Sequence, residues 1–268
     1  MSAATQLLPA GAAFDAIAGS FDARFGAWRS VEAQRRAVRR ELLDLFPEDT
    51  RLLEIGGGTG LDAAWLTERG RKVLLTDASP AMVAEAARKL GRGAAEVIAA
   101  EQLHRLVERG ERFDGAFSNF AALNCVSDLA PVGQALAGLV RPGGHVALVV
   151  FGCLCPGEMA VEAARGRFGN ILRRAGNGDV PARLGGRGFS VRYHRPAAIE
   201  RAMAPWFRPA GRTAIGLFVP PSAAEPWISR QPRLLGALEA ADRFAAPHLA
   251  RFGDHVLYRF VRGSGEAA

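Results

Sequence analysis

A chain of 268 residues, 49% hydrophobic and 23% charged, holds enough apolar material for a sizeable core without disulfide staples, and its mean hydropathy of +0.04 excludes a disordered or membrane-dominated protein. No apolar run reaches the roughly 18 residues of a membrane helix, and residues 1–14 lack the basic and apolar stretches of a secretory signal, so a cytoplasmic location is expected. The formal charge of +7 raises the idea of a polyanionic partner, but only Arg35, Arg36, Arg39 and Arg40 cluster, and no nucleic-acid-binding spacing accompanies them. A solvated helix face is the expectation, with no nucleic acid partner. The three cysteines are odd in number, and Cys153 and Cys155 are one residue apart, which favours structural thiols over a disulfide or a metal site.

In chain order, residues 30–46 carry Val31, Val38, Leu42, Leu45 and Phe46 among charges, the pattern of an amphipathic helix stopped before Pro47. Residues 51–55 read as a strand ending in glycines, and 61–69 as the helix after it. A second strand at 72–76 ends at Asp77, after which Ser79 caps a helix with Pro80 at its first position. Further strands are expected at 96–100, 113–118 and 145–151, the last after the turn 141–144. A helix at 158–174 and a Gly-rich stretch at 176–188 form a candidate lid. Strands at 190–195, 212–219 and 255–261 then alternate with helices at 197–204 and 233–244. Alternating strands and helices predict an α/β doubly wound, seven-stranded, mostly parallel sheet with ligands at the carboxyl ends of the strands.

A strand ending in Gly56, Gly57, Gly58 and Gly60 and opening a helix lets bare backbone approach a nucleoside-linked ligand. The G-x-G-x-G spacing departs from the dinucleotide fingerprint. Asp77, 17 residues after Gly60 at the end of the next strand, is placed to accept hydrogen bonds from both ribose hydroxyls. Residues 53–60, the run from Asp77 to Met82, residues 113–120 and the turn 141–144 together resemble a class I S-adenosylmethionine-dependent methyltransferase of the small-molecule type, with its Rossmann-like fold. The resemblance covers about residues 50–152.

It implies that Glu54 holds the amino group of the methionyl moiety, that Met82 packs on the adenine beside Ala78 and Ser79, and that Ser118 and Asn119 line the sulfonium end. The family places an Asp after the third strand to accept from the adenine amine; here Glu101, followed by Gln102, takes that place. Residues 14–22 resemble the family's N-terminal lid, with Phe14 and Phe21 where tyrosines often stand. Arg35 lies where a residue near the methionyl carboxylate is common, an exposed helix arginine being the other reading. The expected division is an N-terminal helical lid at 1–46, a cofactor-binding core at 47–152, a substrate lid at 153–190 and the C-terminal half of the sheet at 191–268.

Methyl transfer from a sulfonium is an in-line displacement whose main demand is geometric, and a general base is needed only for some acceptors. His194 is the candidate base, an ordinary hydrogen-bonded histidine being the alternative, and Tyr193 is a neighbouring candidate substrate contact. Asn119 and Asn124 follow the fourth strand, where an acceptor meets the methyl group, although Asn124 also suits a helix cap. Met159, Phe168, Trp206, Phe218 and Trp227 would line an apolar pocket if they face inward. Transfer to a small or mid-sized, partly hydrophobic metabolite of specialised metabolism is the leading expectation. The alternatives are carboxyl methylation of a substrate on an acyl carrier protein, with the arginine cluster as docking patch, and a cofactor-binding homologue that does not methylate.

Overall fold

The structure, a computed structural model, describes residues 7–176 and 178–264. Residues 1–6 of the segment read for a signal, Asn177 of the Gly-rich stretch and the last four residues of the C-terminal segment lie outside the described residues. Three helices open the chain, α1 (Ala10–Asp15), α2 (Ala18–Gly26) and α3 (Arg29–Leu45). There follow β1 (Arg51–Ile55), α4 (Leu61–Thr67), β2 (Lys72–Asp77), α5 (Pro80–Leu90), β3 (Ala95–Val97), α6 (His104–Glu108) and β4 (Phe113–Ser118). Next are α7 (Ala130–Leu139), β5 (Val140–Phe151), α8 (Pro156–Ala164), β6 (Asp179–Leu184) and β7 (Arg187–Arg192). The chain continues with α9 (Pro196–Met203), β8 (Phe207–Ile215), α10 (Pro232–Ala245) and β9 (His255–Arg262).

Seven strands form one sheet in the order β3-β2-β1-β4-β5-β9-β8, parallel from β3 to β5, with β9 reversed between β5 and β8. Strands buried on both faces must be apolar on both, and they are: Leu53, Ile55, Val146, Leu148 and Val150 pack under α7 and α9, while Leu52, Phe117, Ala147 and Val149 pack under α3 and α4. The order reverses at β1, so the carboxyl ends of β1, β2 and β4 open a crevice. Ser79 caps α5 through its hydroxyl, which accepts from the Met82 N–H at 3.1 Å with Pro80 in the first turn, as the sequence predicts.

Several elements differ from the sequence reading. The helix expected at 158–174 stops at Ala164, because Gly166 takes a left-handed φ of 69° and only short 3-10 turns follow. The strand expected at 190–195 is β7, which leaves the main sheet and pairs with β6 in a separate hairpin. Its two-residue turn, Gly185 and Gly186, has φ of 56° and 80°, the paired positive values that close a hairpin tightly. The hairpin runs past the boundary at 190 expected for a lid. The strand expected at 212–219 runs instead from 207 to 215, and the third strand ends at Val97 rather than at 100.

The arginine cluster is divided: Arg35 and Arg39 turn inward to Asp62 of α4, while Arg36, which pairs with Glu239 of α10, and Arg40 lie on the exposed face of α3. Trp206 packs on the core at the far end of β8, while Phe168, Phe218 and Trp227 are exposed. Of the apolar residues proposed to line a pocket, Met159 borders a small crevice with Ile171 and Leu172.

Candidate cofactor and acceptor site

The glycine loop after β1 is shaped from two sides. Gly56, Gly58 and Gly60 have φ of 66°, 55° and 78°, which side-chain-bearing residues adopt only with strain. A Cβ at Gly56 would lie 2.3 Å from the Ala122 Cβ, and one at Gly57 would meet Leu75 and the Glu54 carboxyl, so these two glycines serve packing of the protein on itself. A Cβ at Gly58 would meet nothing within 4 Å, so the bare face turned to a ligand is that of Gly58. Asp77 fixes this loop: its carboxylate accepts from the Gly58 N–H at 2.9 Å and from the Ser79 N–H at 2.8 Å. Burial pushes the Asp77 carboxyl up, against the pull of those two N–H groups.

At the end of β1, Glu54 is fully buried, and its Oε2 has no hydrogen-bond partner. Burial, and next the neighbouring Asp62 carboxylate, push the Glu54 pKa well up, while Arg35 opposes. A buried, unpaired carboxylate costs free energy unless a cation reaches it. The cations nearby are taken by Asp62, a residue the sequence reading missed. Its carboxylate accepts from Arg35 Nη1, Arg39 Nε and Asn119 Nδ2, each at 2.8 Å. Burial would raise the Asp62 pKa, but Arg35 and Arg39 outweigh it and hold the carboxyl below its ordinary value. Asp62 looks like any first-turn helix acid; its role arises from α3 laying two arginines over it.

Arg35 also stacks on the Phe120 ring at 4.5 Å, and Phe120 and Ala121 both hold left-handed φ values, 47° and 60°, in the turn after β4. Beyond this turn aromatic rings run on: His255 lies 5.9 Å from Phe120 and 4.7 Å from Phe151, and Phe151 lies 5.7 Å from Tyr193. Phe14 closes this wall from the N-terminal lid, 5.6 Å from Phe189 and 6.3 Å from Phe21. Two aspartates fasten the N-terminal helices α1 and α2. Asp15 accepts from the Ser79 hydroxyl at 2.6 Å, and Asp22 accepts from the Thr59 hydroxyl at 2.5 Å and from Lys89 at 2.7 Å. Neither aspartate was singled out from the sequence, since their partners lie 37 to 67 residues away.

The other sequence candidates fall into two groups. Glu101 and Gln102 sit in the exposed 3-10 turn after β3; Gln102 accepts from the Ala99 N–H at 3.4 Å, and the charges of Asp77 and Glu101 add to burial in pushing the Cys125 thiol up to about 12. Met82 is buried against Ile17 and Ala18 of the lid, and the Ala78 carbonyl lies against Gly11 of α1. The Ser118 hydroxyl donates to the Ile55 carbonyl at 2.8 Å, tying β4 to β1. His194 bonds through Nε2 to the Leu123 carbonyl at 3.1 Å, and burial lowers its pKa, so it stays neutral and acts as a strut here. Tyr193 is buried, and burial raises its phenol pKa.

Asn124 neither caps a helix nor offers a free amide. It accepts from the Phe151 N–H at 2.9 Å and donates to the Arg192 carbonyl at 2.6 Å, strapping β5 to the lid hairpin. Asn124→Ala is therefore expected to cost about 2–3 kcal/mol of stability in urea denaturation, for two backbone groups left unsatisfied. Affinity for S-adenosylhomocysteine, measured by calorimetry, should change less than about threefold.

Six parallel strands, a reversed β9, a glycine loop fixed by the acid of β2 and an orphaned carboxyl oxygen at the end of β1 make the Rossmann-like architecture that the resemblance to class I S-adenosylmethionine-dependent methyltransferases implies. The comparisons with known proteins agree. Residues 52–144 match the family described as Methyltransferase domain. Over 152 residues, 56% of this chain, the sequence is 32% identical to the Biotin biosynthesis bifunctional protein BioHC of Cellvibrio japonicus, and the chain spans 29% of that protein's length. Two crystal structures described as S-adenosylmethionine-dependent methyltransferases share the fold. The one from Listeria monocytogenes is 17% identical, with a TM-score of 0.56 and coverage of 84% of this chain and 96% of that one. The one from Mesorhizobium loti is 19% identical, with a TM-score of 0.53 and coverage of 86% and 98%.

The residues present fit the cofactor. Gly58 offers a bare backbone face, Asp77 a carboxylate for the ribose, and Glu54 an unpaired oxygen for the methionyl ammonium. Among the described residues no group of three or more His, Cys, Asp or Glu is placed to hold a metal ion, and no helix is long and apolar enough to cross a membrane. The three cysteines are free thiols.

Proposed function

We propose that the chain transfers a methyl group from S-adenosylmethionine to a small or mid-sized, partly hydrophobic metabolite by in-line displacement. The observation that carries this reading is the adjacency of two surfaces across the Asn119–Phe120 turn. One is the polar cradle of Glu54, Gly58 and Asp77; the other is the wall of Phe120, Phe151, Tyr193, Phe14 and His255. Such a wall excludes water and confines an apolar acceptor, which is what an in-line displacement requires. Arg35, with one N–H on Asp62 and its face on Phe120, is the residue for the methionyl carboxylate.

The test is incubation with methyl-labelled S-adenosylmethionine and fractionated small-molecule extracts. Label is expected in an acceptor with the wild-type chain and not with Asp77→Ala. Cofactor affinity without label transfer to any fraction would instead favour a homologue that binds the cofactor and does not methylate.

A second reading, carboxyl methylation of a substrate carried on an acyl carrier protein, is favoured by one feature. Residues 153–195 hold eight arginines against three acidic residues. Arg174 and Arg192 are engaged within the protein by Asp254 and Asp179, whereas Arg167, beside Glu162 at 3.6 Å, and Arg187, donating to the Ala12 carbonyl at 3.0 Å, keep exposed side chains. A complex with an acyl carrier protein that forms at low salt and dissolves at high salt supports this reading. Its absence at low salt removes it.

Glu54 gives the cofactor reading a pH signature. Because its carboxyl is held well up by burial and by Asp62, arrival of a methionyl ammonium is expected to displace a proton. Affinity for S-adenosylhomocysteine should therefore rise as pH rises through that elevated value. Calorimetry in buffers of different ionisation enthalpy is expected to show proton release on binding at pH values below that elevated value. Glu54→Gln should abolish that release and weaken binding by roughly tenfold or more.

A further inference from the structure

On the other side of β5 from the cofactor loop, at the end of the sheet where β9 begins, lies a cavity of about 720 Å³ that neither the glycine loop nor Asp77 borders. Its floor is Val256 and Tyr258 of β9, with Leu154 entering from the segment after β5 and Leu249 from the turn after α10. Its charged residues are of one sign, Arg195, Arg212 and Arg251, and no acid is among the residues that line it.

The volume is that of a small-molecule site. The charge is what an apolar surface needs to hold a molecule with one anionic end. Arg212 pairs with Glu200 at 3.5 Å, but both side chains are nearly half exposed, so that pair yields readily to a ligand carboxylate or phosphate. Arg251 lies over Phe252 at 4.5 Å, a contact that leaves the guanidinium edge to donate. Phe151 and His194 border both this cavity and the neighbourhood of the aromatic wall, so a ligand here sits one side chain away from the proposed acceptor region.

We propose that this cavity is a second binding site, for a partly apolar molecule with a carboxylate or phosphate end. The anionic end lies against Arg212 and Arg251, and the apolar part lies on Val256, Tyr258 and Leu154. The site stands on the cavity and its charge, and it requires neither bound cofactor nor methyl transfer.

The experiment titrates decanoate and decyl phosphate, below their micellar concentrations, into the full chain by calorimetry, with methyl decanoate as the uncharged control. One saturable site is expected for at least one of the two anions, and the comparison tells which anionic end it prefers. Methyl decanoate should bind at least tenfold more weakly, and affinity should fall between 50 and 300 mM salt. Arg212→Gln with Arg251→Gln is expected to weaken the anion at least tenfold while leaving S-adenosylhomocysteine affinity unchanged, which shows that the variant is folded.

Leu154→Glu, on a different element, puts a negative charge into the cavity and should produce the same loss should the double variant fail to fold. Binding should persist in Asp77→Ala, which separates failure of this site from failure of the cofactor site. The proposal is overturned by the absence of saturable binding of both anions. Affinity unchanged in the arginine or Leu154 variants, or equal binding of the methyl ester, overturns it as well.

Discussion

Replacing Asp77 by alanine is expected to lower affinity for S-adenosylmethionine, and for its demethylated product, by about 100-fold or more. Two hydrogen bonds from ribose hydroxyls to a carboxylate are each worth about 1.5–3 kcal/mol, which together correspond to between two and four orders of magnitude. The same carboxylate shapes the loop, because it holds the Gly58 and Ser79 N–H groups at 2.9 and 2.8 Å. Alanine therefore removes the ribose partner and loosens the one glycine whose face is bare. An asparagine side chain keeps an acceptor oxygen and should keep more of the loop, so Asp77→Asn is expected to fall between wild type and Asp77→Ala in a calorimetric titration.

The pH dependence has a definite sign. Burial raises the Asp77 pKa, so the carboxylate proposed to accept the ribose hydroxyls is lost, on acidification, at a higher pH than an ordinary aspartate would be. Ribose affinity should decline over that interval, and the decline should be absent from the residual binding of Asp77→Asn.

Asp77 and the glycines were legible because their physics is local. A carboxylate at a strand end and a glycine that must hold positive φ can both be recognised from a few neighbours in sequence. Most of the strands and helices along the chain followed for the same reason, since each carried its own apolar period. The hairpin at residues 179–192 was missed although its signal is present: the pair Gly185–Gly186 between strand-forming runs closes a tight turn, and a Gly-rich stretch reads as loop when the alternation on either side is overlooked.

Asp62 and Asp254 are of another kind. Asp254 accepts from Arg174 Nη2 at 2.8 Å and from Gln34 Nε2 at 3.1 Å, joining the lid, α3 and the start of β9 across 80 and 220 residues of chain. Burial acts to raise its pKa, but His255 and Arg174 outweigh that and hold it well below the usual carboxylate range. Nothing near Asp254 in sequence distinguishes it from a turn residue.

Asp62→Ala is expected to have the largest effect on stability, a loss of about 3–5 kcal/mol in urea denaturation, because it strands two guanidinium groups at a site from which water is largely excluded. The loss should be conditional on those partners. Adding Arg35→Met and Arg39→Met to Asp62→Ala removes the uncompensated charges, and the triple variant should recover part of the stability while failing to bind the cofactor's carboxylate end.

Acid should act as the mutation does. The Asp62 pKa is lowered in the folded protein, so the stability it contributes is fully present above the unfolded-state value of about 3.9 and is lost as pH falls from there through the lower folded value. Wild type should therefore lose stability more steeply below about pH 4 than Asp62→Ala, and the two curves should converge at the acid end. Parallel curves would mean that Arg35 and Arg39 do not depend on Asp62. Arg35 would then owe its position over Phe120 to packing alone.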